Sequence, residues 1–398
     1  MSDNRSRKLS FFLFAYWHDL RWKRFVGATV KIWDLAQNLS KLGHDVTLFL
    51  PKYNFDDGKS SIRIVEIPFL NLPLLRLPSF NLMLMVYLVL FYLKSRPDVV
   101  YVRRMGSFVP GVYARLVKAV FFYEVNDDPY RKNYHEGSFI AFRVRALISV
   151  WQDQINLKLC HRAFVITHQV IKKILKTTPT LRADKLVEMP SGANCDLFRP
   201  ISFKKCRSIL NIDLEKKYIG FAGTLLKHQG IETLIDAAPA IIKNEPASAF
   251  LIIGEGPMKD LWMYKVKNRG LSNYFKFAGQ ADYEDMPTWI GAMDICVAPF
   301  HYDAGLRSPV KIYDYMACGK PVVASRIQGT TDVFDQSEAI KLVAPGDAEM
   351  LSNVIIDLLA NQDEAERMGR KGHAFVLEKY DRRIIAKRTA DEAFSFIA

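Results

Sequence analysis

DAGLRSPVKIYDYMACGKPVVAS (residues 303–325) carries the signals of a helix followed by a buried strand. Ser308 can cap free backbone amides and Pro309 loses nothing at the first helical position, so a helix is predicted to begin here. Gly319 supplies a left-handed helix end, and the apolar residues 321–324 then predict a short buried strand. A helix and a strand in this order are typical of an α/β sheet.

The start of this helix carries two cations where the helix dipole disfavours them. Arg307 and Lys311 flank its positive end, which costs roughly 0.3–1 kcal/mol for each charge. A bound anion, most simply a phosphate held on the free amides, would make the two positive charges favourable. Asp314 lies one turn deeper on the face of Lys311, within reach of a sugar hydroxyl. The alternative is that Lys311 only extends into water and Asp314 has no such role.

Strand-like and helix-like runs alternate outward from this stretch. In the first half, strands are predicted at 8–17, 44–51, 61–68, 98–104, 119–125, 161–167 and 185–191, and helices at 28–42 and 82–93. The alternation restarts near residue 217 and ends with two helices, at 363–377 and 382–397. Alternation of this kind predicts parallel sheets covered on both faces by helices.

The length of 398 residues exceeds the usual limit of a single core, so two domains are expected. We predict an α/β fold with two Rossmann-like, doubly wound domains. Residues 1–200 would form the first domain, completed by a C-terminal helix at 382–398, and residues 201–381 would form the second.

The net charge of +13 comes from the first half of the chain. Residues 1–200 contain 30 Lys and Arg against 16 Asp and Glu. This asymmetry suggests an anionic partner, which could be a membrane surface, a nucleic acid or an acidic substrate. The sequence contains no recognisable nucleic-acid-binding module, so we expect no nucleic-acid partner.

The five cysteines and the apolar runs indicate where in the cell the protein is expected. The cysteines have no paired spacing, which predicts reduced, mostly buried thiols in a cytoplasmic protein. We also expect no secretory signal, because the basic residues near the N-terminus lead directly into a strand. The longest apolar run, Leu82–Leu93, has 12 residues, which is too short to span a bilayer.

Residues 68–96 combine an irregular leucine-rich loop with this apolar helix. The simpler interpretation of residues 82–93 is a fully buried helix. Pro68, Pro73 and Pro78 prevent regular structure around Phe69–Leu77, where burial is less natural. The alternative is peripheral contact of the basic N-terminal domain with an anionic membrane, at the inner face of the cell membrane.

GFAGTLLKHQGIETLIDA (220–237) has the pattern of a phosphate-binding turn. A strand leads through a glycine turn and a basic insert to a second glycine that opens a helix. Backbone amides in such a turn can hold a phosphate, with Lys227 or His228 as a point charge.

Together with other segments, this turn makes the chain resemble the retaining GT-B glycosyltransferases of family four (glycosyl transferases group 1). Five segments in order carry the resemblance and together span nearly the whole chain: VGATVKIWDLAQNLSKLGHDVTLF (26–49), MPSGANCDLFRP (189–200), GTLLKHQGIETLIDA (223–237), LIIGEGPMKDLW (251–262) with FAGQA (277–281), and SPVKIYDYMACGKPVVAS (308–325). The last segment resembles a Ser-Pro-x-Lys variant of the nucleotide-binding helix of that family.

The resemblance implies two Rossmann-like domains facing a central cleft. A sugar would pass, with retention and without a metal ion or other cofactor, from a UDP-, GDP- or other nucleotide-diphosphate sugar to a glycan or lipid-linked acceptor. The N-terminal domain would hold the acceptor. The donor would contact Gly27, Gly223, Thr224, Lys227, Ala281, Arg307, Ser308, Pro309, Val310 and Asp314.

The chain departs from the family pattern at several donor positions. The family often has Arg and Lys in the phosphate turn where this chain has Thr224 and Gln229. The paired glutamates of the family correspond to Leu306 and Asp314 here. Leu306 cannot take the role of the first glutamate, which lies near the transferred sugar. Lys311 is therefore predicted to act in catalysis together with backbone amides.

On the acceptor side, YEVNDDPY (123–130) follows the predicted strand at 119–125. Sites of α/β proteins form at the carboxyl ends of strands. Glu124 and Asp127, with Asp128 as a further candidate, are predicted to receive the acceptor proton or to stabilise charge at the anomeric carbon. The simpler alternative is that these acids cap the following helix.

Two other functions remain open from the sequence. One is a nucleotide-sugar epimerase on the same fold. The other is an inactive nucleotide-sugar-binding relative, which the residues Thr224, Gln229 and Leu306 suggest.

Overall fold

The computed structural model describes residues 7–16, 30–52, 62–72, 74–126, 140–301 and 310–397. The chain divides into two compact units. Unit 1 consists of Met1–Pro190 and Arg382–Ala398, and unit 2 of Ser191–Asp381. Each unit has one parallel sheet with helices between most of its successive strands, which confirms the predicted α/β class.

The unit 1 sheet has the strand order β3-β2-β1-β4-β5-β6-β7, and every pair in it is parallel. Its strands are β1 Ser10–Phe14, β2 Asp45–Pro51, β3 Arg63–Ile67, β4 Val99–Arg103, β5 Val120–Val125, β6 Arg162–Val165 and β7 Leu186–Glu188. Its helices are α1 Val30–Lys41, α2 Arg76–Lys94, α3 Val109–Val117, α4 Ile140–Leu159, α5 His168–Thr177 and, from the end of the chain, α14 Arg382–Ile397.

Burial on both faces explains the composition of the central strands. The strand β5 (VFFYEV) is buried along its whole length, and β1 is buried at four of its five positions. Strands covered by helices on both sides read as continuous apolar runs rather than alternating ones. The helix α14 packs on α1 and contributes Ile385, Ala386, Ala390 and Ala393 to the same core.

The unit 2 sheet has the order β10-β9-β8-β11-β12-β13 and is also parallel. Its strands are β8 Lys217–Ala222, β9 Ser248–Ile253, β10 Phe275–Gly279, β11 Ile295–Ala298, β12 Val322–Ser325 and β13 Lys341–Val343. Its helices are α6 Phe203–Ile209, α7 Ile231–Asn244, α8 Lys259–Asn268, α9 Met286–Gly291, α10 Val310–Ala317, α11 Gln328–Phe334, α12 Ala348–Ala360 and α13 Gln362–Lys379.

The strand order reverses between β8 and β11. Ligands of open α/β sheets bind beyond the carboxyl ends of the strands at such a reversal. The segments that follow β8 and β11 in unit 2 are therefore the first place to look for a site.

The helix α2 differs from the sequence-based interpretation. It begins at Arg76, and Pro78 lies in its first turn, where a missing amide breaks no intrahelical hydrogen bond. Only Phe80, Leu84 and Leu88 are buried, so the fully buried interpretation is wrong. With 19 residues, α2 is long and apolar enough to span a membrane by length and composition alone, a test that core helices of soluble proteins also pass.

The cysteines agree with the sequence. All five are free and buried, and their burial agrees with the prediction of mostly buried thiols.

Candidate functional site

Glycine turns after β8, β9 and β10 meet at the edge of the unit 2 sheet. The amide of Gly223 donates to the carbonyl of Ile253 over 2.9 Å, and the amide of Gly254 donates to the carbonyl of Gly279 over 2.7 Å. The φ angles of Gly223, Gly254 and Gly279 are +148°, +136° and +75°, values that disfavour other residues. The turns therefore pack backbone against backbone, without side chains at these three positions.

We expect Gly254→Ala to destabilise unit 2 by about 2–4 kcal/mol, measured by urea unfolding. A Cβ at position 254 would overlap the carbonyl oxygen of Gly223, and φ is also unfavourable for alanine. Gly270→Ala is the matched control, since Gly270 has φ +68° but open space around the new Cβ. Equal losses in the two variants would show that backbone strain alone, and not the packing of the turns, sets the effect.

Lys311 reaches this edge from the first turn of α10. Its Nζ donates a hydrogen bond to Oε1 of Gln229 and lies 3.8 Å from the centre of the Phe221 ring and 5.4 Å from that of Phe300. A Cβ on Gly223 would be 2.9 Å from the same Nζ, so the close approach depends on that glycine. Burial lowers the pKa of Lys311 well below its ordinary value.

The partners of Lys311 are neutral. Among the described residues it forms no ion pair with a carboxylate; an amide oxygen and two aromatic rings surround its ammonium group. A cation held among neutral groups stabilises an incoming anion more than one already paired with an acid. The ammonium group of Lys311 thus lies beside Gln229, the position at which the family resemblance implies a lysine.

Tyr315 fixes α10 to the end of β8, a contact that the sequence did not indicate. Its buried hydroxyl accepts from the amide of Ala222 over 2.7 Å and lies 3.1 Å from the carbonyl of Ala222, to which it donates. The register of the helix that carries Lys311 is thereby set against the glycine turn. The sequence signal would have been a tyrosine four residues after Lys311, on the same helix face.

The other predicted donor residues lie around this edge. Thr224 and Lys227 are exposed in the segment after β8, and Lys227 begins a 310 turn that ends at Gln229. Ala281 is partly buried after β10, Val310 is the first residue of α10, and Asp314 lies one turn later. Their contacts with a donor stay predictions.

Several predicted residues lie outside the described residues. These are Gly27, Asp127, Arg307, Ser308 and Pro309, together with Asp128 and Leu306. Their roles also stay predictions.

Glu124 lies at the carboxyl end of β5 in unit 1 and is only 1% exposed. Its Oε1 is 2.8 Å from Nζ of Lys31, and its Oε2 accepts from the hydroxyl of Tyr101 over 2.8 Å. With the Asn126 amide nitrogen facing Glu124, the amide oxygen accepts from Nε of Arg103 over 3.0 Å. Glu124 is thus the anion of a buried charge cluster.

The cluster keeps Glu124 ionised. Burial raises the pKa of Glu124, but the charges of Lys31 and Arg103, with hydrogen bonds from Lys31 and Tyr101, outweigh burial and hold the pKa below its ordinary value. A carboxylate with both oxygens occupied and almost no exposure suits a positioning role better than direct contact with a substrate. The sequence reasoning missed Lys31 and Tyr101, which lie on elements whose partners it could not assign.

Comparison with known proteins accounts for both units. Residues 26–197 match the family model described as Glycosyltransferase Family 4, and residues 202–375 match the one described as Glycosyl transferases group 1. The solved structure of sucrose-phosphate synthase from Thermosynechococcus elongatus has 19% identity, a TM-score of 0.75, and coverage of 98% of this chain and 99% of that chain. Anabaena HepE in complex with UDP has 17% identity, a TM-score of 0.72, and coverage of 97% and 100%.

The curated relatives match a smaller part of this chain than the solved structures do. A GDP-mannose-dependent monoacylated alpha-(1-6)-phosphatidylinositol monomannoside mannosyltransferase of Corynebacterium glutamicum is 26% identical over 213 residues, which are 50% of this chain and 54% of that protein. The chain spans about half the length of the curated relatives it matches. The structural likeness extends over both units and shows the two-domain GT-B fold. With a family 4 domain followed by a group 1 domain, the chain belongs to the glycosyltransferases.

Proposed function

We propose that this chain transfers a sugar from a nucleotide-diphosphate sugar to a hydroxyl group of a glycan or lipid-linked acceptor, with retention at the anomeric carbon and without a metal ion. The observation that carries the proposal is Lys311, whose ammonium group contacts only neutral groups within the described part of the chain, at the glycine turns of unit 2. A diphosphate supplies the missing negative charge.

The donor would lie along the edge formed by β8, β9 and β10. The diphosphate approaches the bare backbone at Gly223, and Lys311 neutralises part of its charge. Asp314 accepts from the ribose hydroxyls, and the backbone at Ala281 faces the base. HepE was solved with UDP and the Corynebacterium relative is named for GDP-mannose, which supports a nucleotide diphosphate and leaves its base to experiment.

The reaction breaks the bond between the anomeric carbon and the phosphate oxygen, and the nucleoside diphosphate departs with the electron pair. A new bond forms from the acceptor oxygen, whose proton must leave. Lys311 and the free amides of the α10 helix start stabilise the departing diphosphate, where the largest charge develops. In this proposal Glu124 acts as a positioning residue through its ion pair with Lys31, and Asp127 stays the predicted proton acceptor.

The excess of basic residues in the first half of the chain favours an anionic acceptor or an anionic surface that presents it. Five free, buried cysteines suit a reducing compartment. We therefore infer a cytoplasmic enzyme of cell-envelope glycan or glycolipid synthesis that works next to the membrane.

The test begins with thermal stabilisation of the protein by UDP, GDP and other nucleoside diphosphates. The matching nucleotide sugar is then incubated with a panel of glycan and glycolipid acceptors, with and without EDTA. We expect stabilisation by one nucleotide, and a product with the anomeric configuration of the donor by NMR, unchanged by EDTA.

Three results would contradict the proposal in different ways. No stabilisation by any nucleotide would remove the donor site. Release of an epimerised nucleotide sugar without acceptor would favour an epimerase, and tight binding without turnover across the panel would favour an inactive relative.

A further inference from the structure

The helix α2 presents a continuous apolar stripe on its outer face. Leu82, Val86, Val89 and Leu93 recur at the spacing of one helix face, and their exposed fractions are 63%, 47%, 63% and 76%. The opposite face is buried through Phe80 and its neighbours one and two turns on. Contiguous apolar surface of this kind usually marks an interaction site.

Neighbouring segments enlarge the stripe. The helix α3 packs beside α2 and exposes Val112 and Leu116, and the segment before α2 exposes four leucines. We define the α2 surface by its exposed apolar members: Leu70, Leu72, Leu74, Leu75, Leu82, Met85, Val86, Val89, Leu90, Leu93, Val112 and Leu116.

Positive charge accompanies the α2 surface. Residues 67–123 contain seven Lys and Arg and a single acid, Asp98, which pairs with Arg7. Lys94 and Arg96 are exposed at the end of α2, and Arg115 is exposed on α3 beside Leu116. Arg103 and Arg104 face the acids Glu124 and Asp153, but the exposed cations Lys94, Arg96 and Arg115 border the apolar side chains. Apolar side chains bordered by exposed cations match the interface of an anionic lipid bilayer.

We propose that the α2 surface rests on an anionic lipid bilayer with α2 parallel to the membrane plane. The helix does not cross the bilayer, because its inner side is part of unit 1: Phe80 packs on Tyr16 at 4.9 Å between ring centres, and Phe91 on Phe49 at 5.2 Å. A second copy of the chain fits this surface less well, since pairing would bring like charges together. The proposal concerns binding and does not depend on the sugar-transfer chemistry.

The experiment is flotation of the full chain with vesicles of phosphatidylglycerol and phosphatidylcholine, and with vesicles of phosphatidylcholine alone. We expect the wild type to float with the anionic vesicles only, and to be released by high salt. Val89→Glu/Leu93→Glu should weaken this binding at least about tenfold, because two large apolar groups leave the interface.

Leu261→Glu/Tyr264→Glu is the matched control. It removes two side chains that are 53% and 63% exposed on α8 in unit 2, and binding should stay unchanged. Both variants should stay folded, because the replaced side chains already face solvent. Circular dichroism and thermal unfolding check this.

Several outcomes would overturn the proposal. These are no flotation of the wild type, equal flotation of the Val89→Glu/Leu93→Glu variant, and equal flotation on uncharged vesicles. A wild type that sediments as a dimer and becomes monomeric in that variant would assign the surface to a second copy instead. Resistance of the vesicle-bound protein to alkaline extraction would indicate a spanning helix and also overturn it.

Discussion

Lys311→Met is expected to stabilise the protein while it weakens nucleoside diphosphate binding at least about tenfold. The wild type holds an ammonium group among Gln229, Phe221 and Phe300 without a carboxylate partner in the described residues. Methionine fills similar space without the cost of burying a charge, so unit 2 should gain about 1–2 kcal/mol. For a unit of this size, that corresponds to a rise in Tm of about 2–8 °C.

The pH dependence of stability tests the same charge. Because the pKa of Lys311 is lowered on folding, the unfolded wild type binds more protons, and wild-type stability rises as the pH increases toward the ordinary lysine pKa. The advantage of Lys311→Met should therefore shrink as the pH rises toward the ordinary lysine pKa. Thermal unfolding of both proteins across this range measures it.

Binding should show the opposite trend. The pKa of Lys311 is lowered by burial, so the affinity of the wild type for the diphosphate should fall at a lower pH than the titration of an ordinary lysine would give. Lys311→Arg keeps a charge and should give a flatter profile. Calorimetric titration of the nucleotide that stabilises the wild type provides the measurement.

Lys243→Met is the matched control, because it removes an exposed lysine of unit 2 from the last turn of α7, which is not part of the predicted site. It should change affinity and Tm much less than Lys311→Met. The double variant Gln229→Lys/Lys311→Gln returns the cation to the turn and should recover part of the affinity. Unchanged affinity in Lys311→Met would remove Lys311 from the site.

Glu124→Leu is expected to destabilise unit 1 by about 3–5 kcal/mol, measured by urea unfolding. The substitution leaves Lys31 and Arg103 in a buried cluster without their shared anion. The double variant Lys31→Met/Glu124→Leu removes both members of the ion pair and should recover most of the loss, since apolar residues of similar volume replace buried ion pairs well.

Acid unfolding tests whether the Glu124 carboxylate stabilises unit 1 or instead contacts the acceptor directly. Its pKa is lowered on folding, so its contribution is present above the unfolded pKa and is lost as the pH falls through the folded one. Wild type and Glu124→Leu should thus converge in stability only below about pH 4. A Glu124→Leu protein as stable as wild type at neutral pH, but without activity, would return Glu124 to direct contact with the acceptor.

The central strands were predictable because they are short, mostly buried apolar runs. The predicted runs at 44–51 and 119–125 became Asp45–Pro51 and Val120–Val125. The face of α2 was not predictable, since a helix that is apolar all round has no periodicity that separates a buried side from an exposed one.

The glycine turns and Lys311 were also visible as motifs, but their partners were not. Lys311 and Gln229 are 82 positions apart, and Tyr101 and Glu124 are 23 apart on neighbouring strands. Sequence spacing gives no register between separate elements of a sheet. Only the fold shows that the ammonium group of Lys311, on α10, lies beside Gln229 in the segment after β8.

The return of α14 to unit 1 has a consequence for synthesis of the protein. Arg382 forms a buried ion pair with Asp34 of α1, and four residues of α14 belong to the unit 1 core. The ribosome makes these residues after all of unit 2. Unit 1 therefore cannot complete its apolar core until residues 382–397 have been synthesised, whereas unit 2 consists of one continuous segment that precedes them.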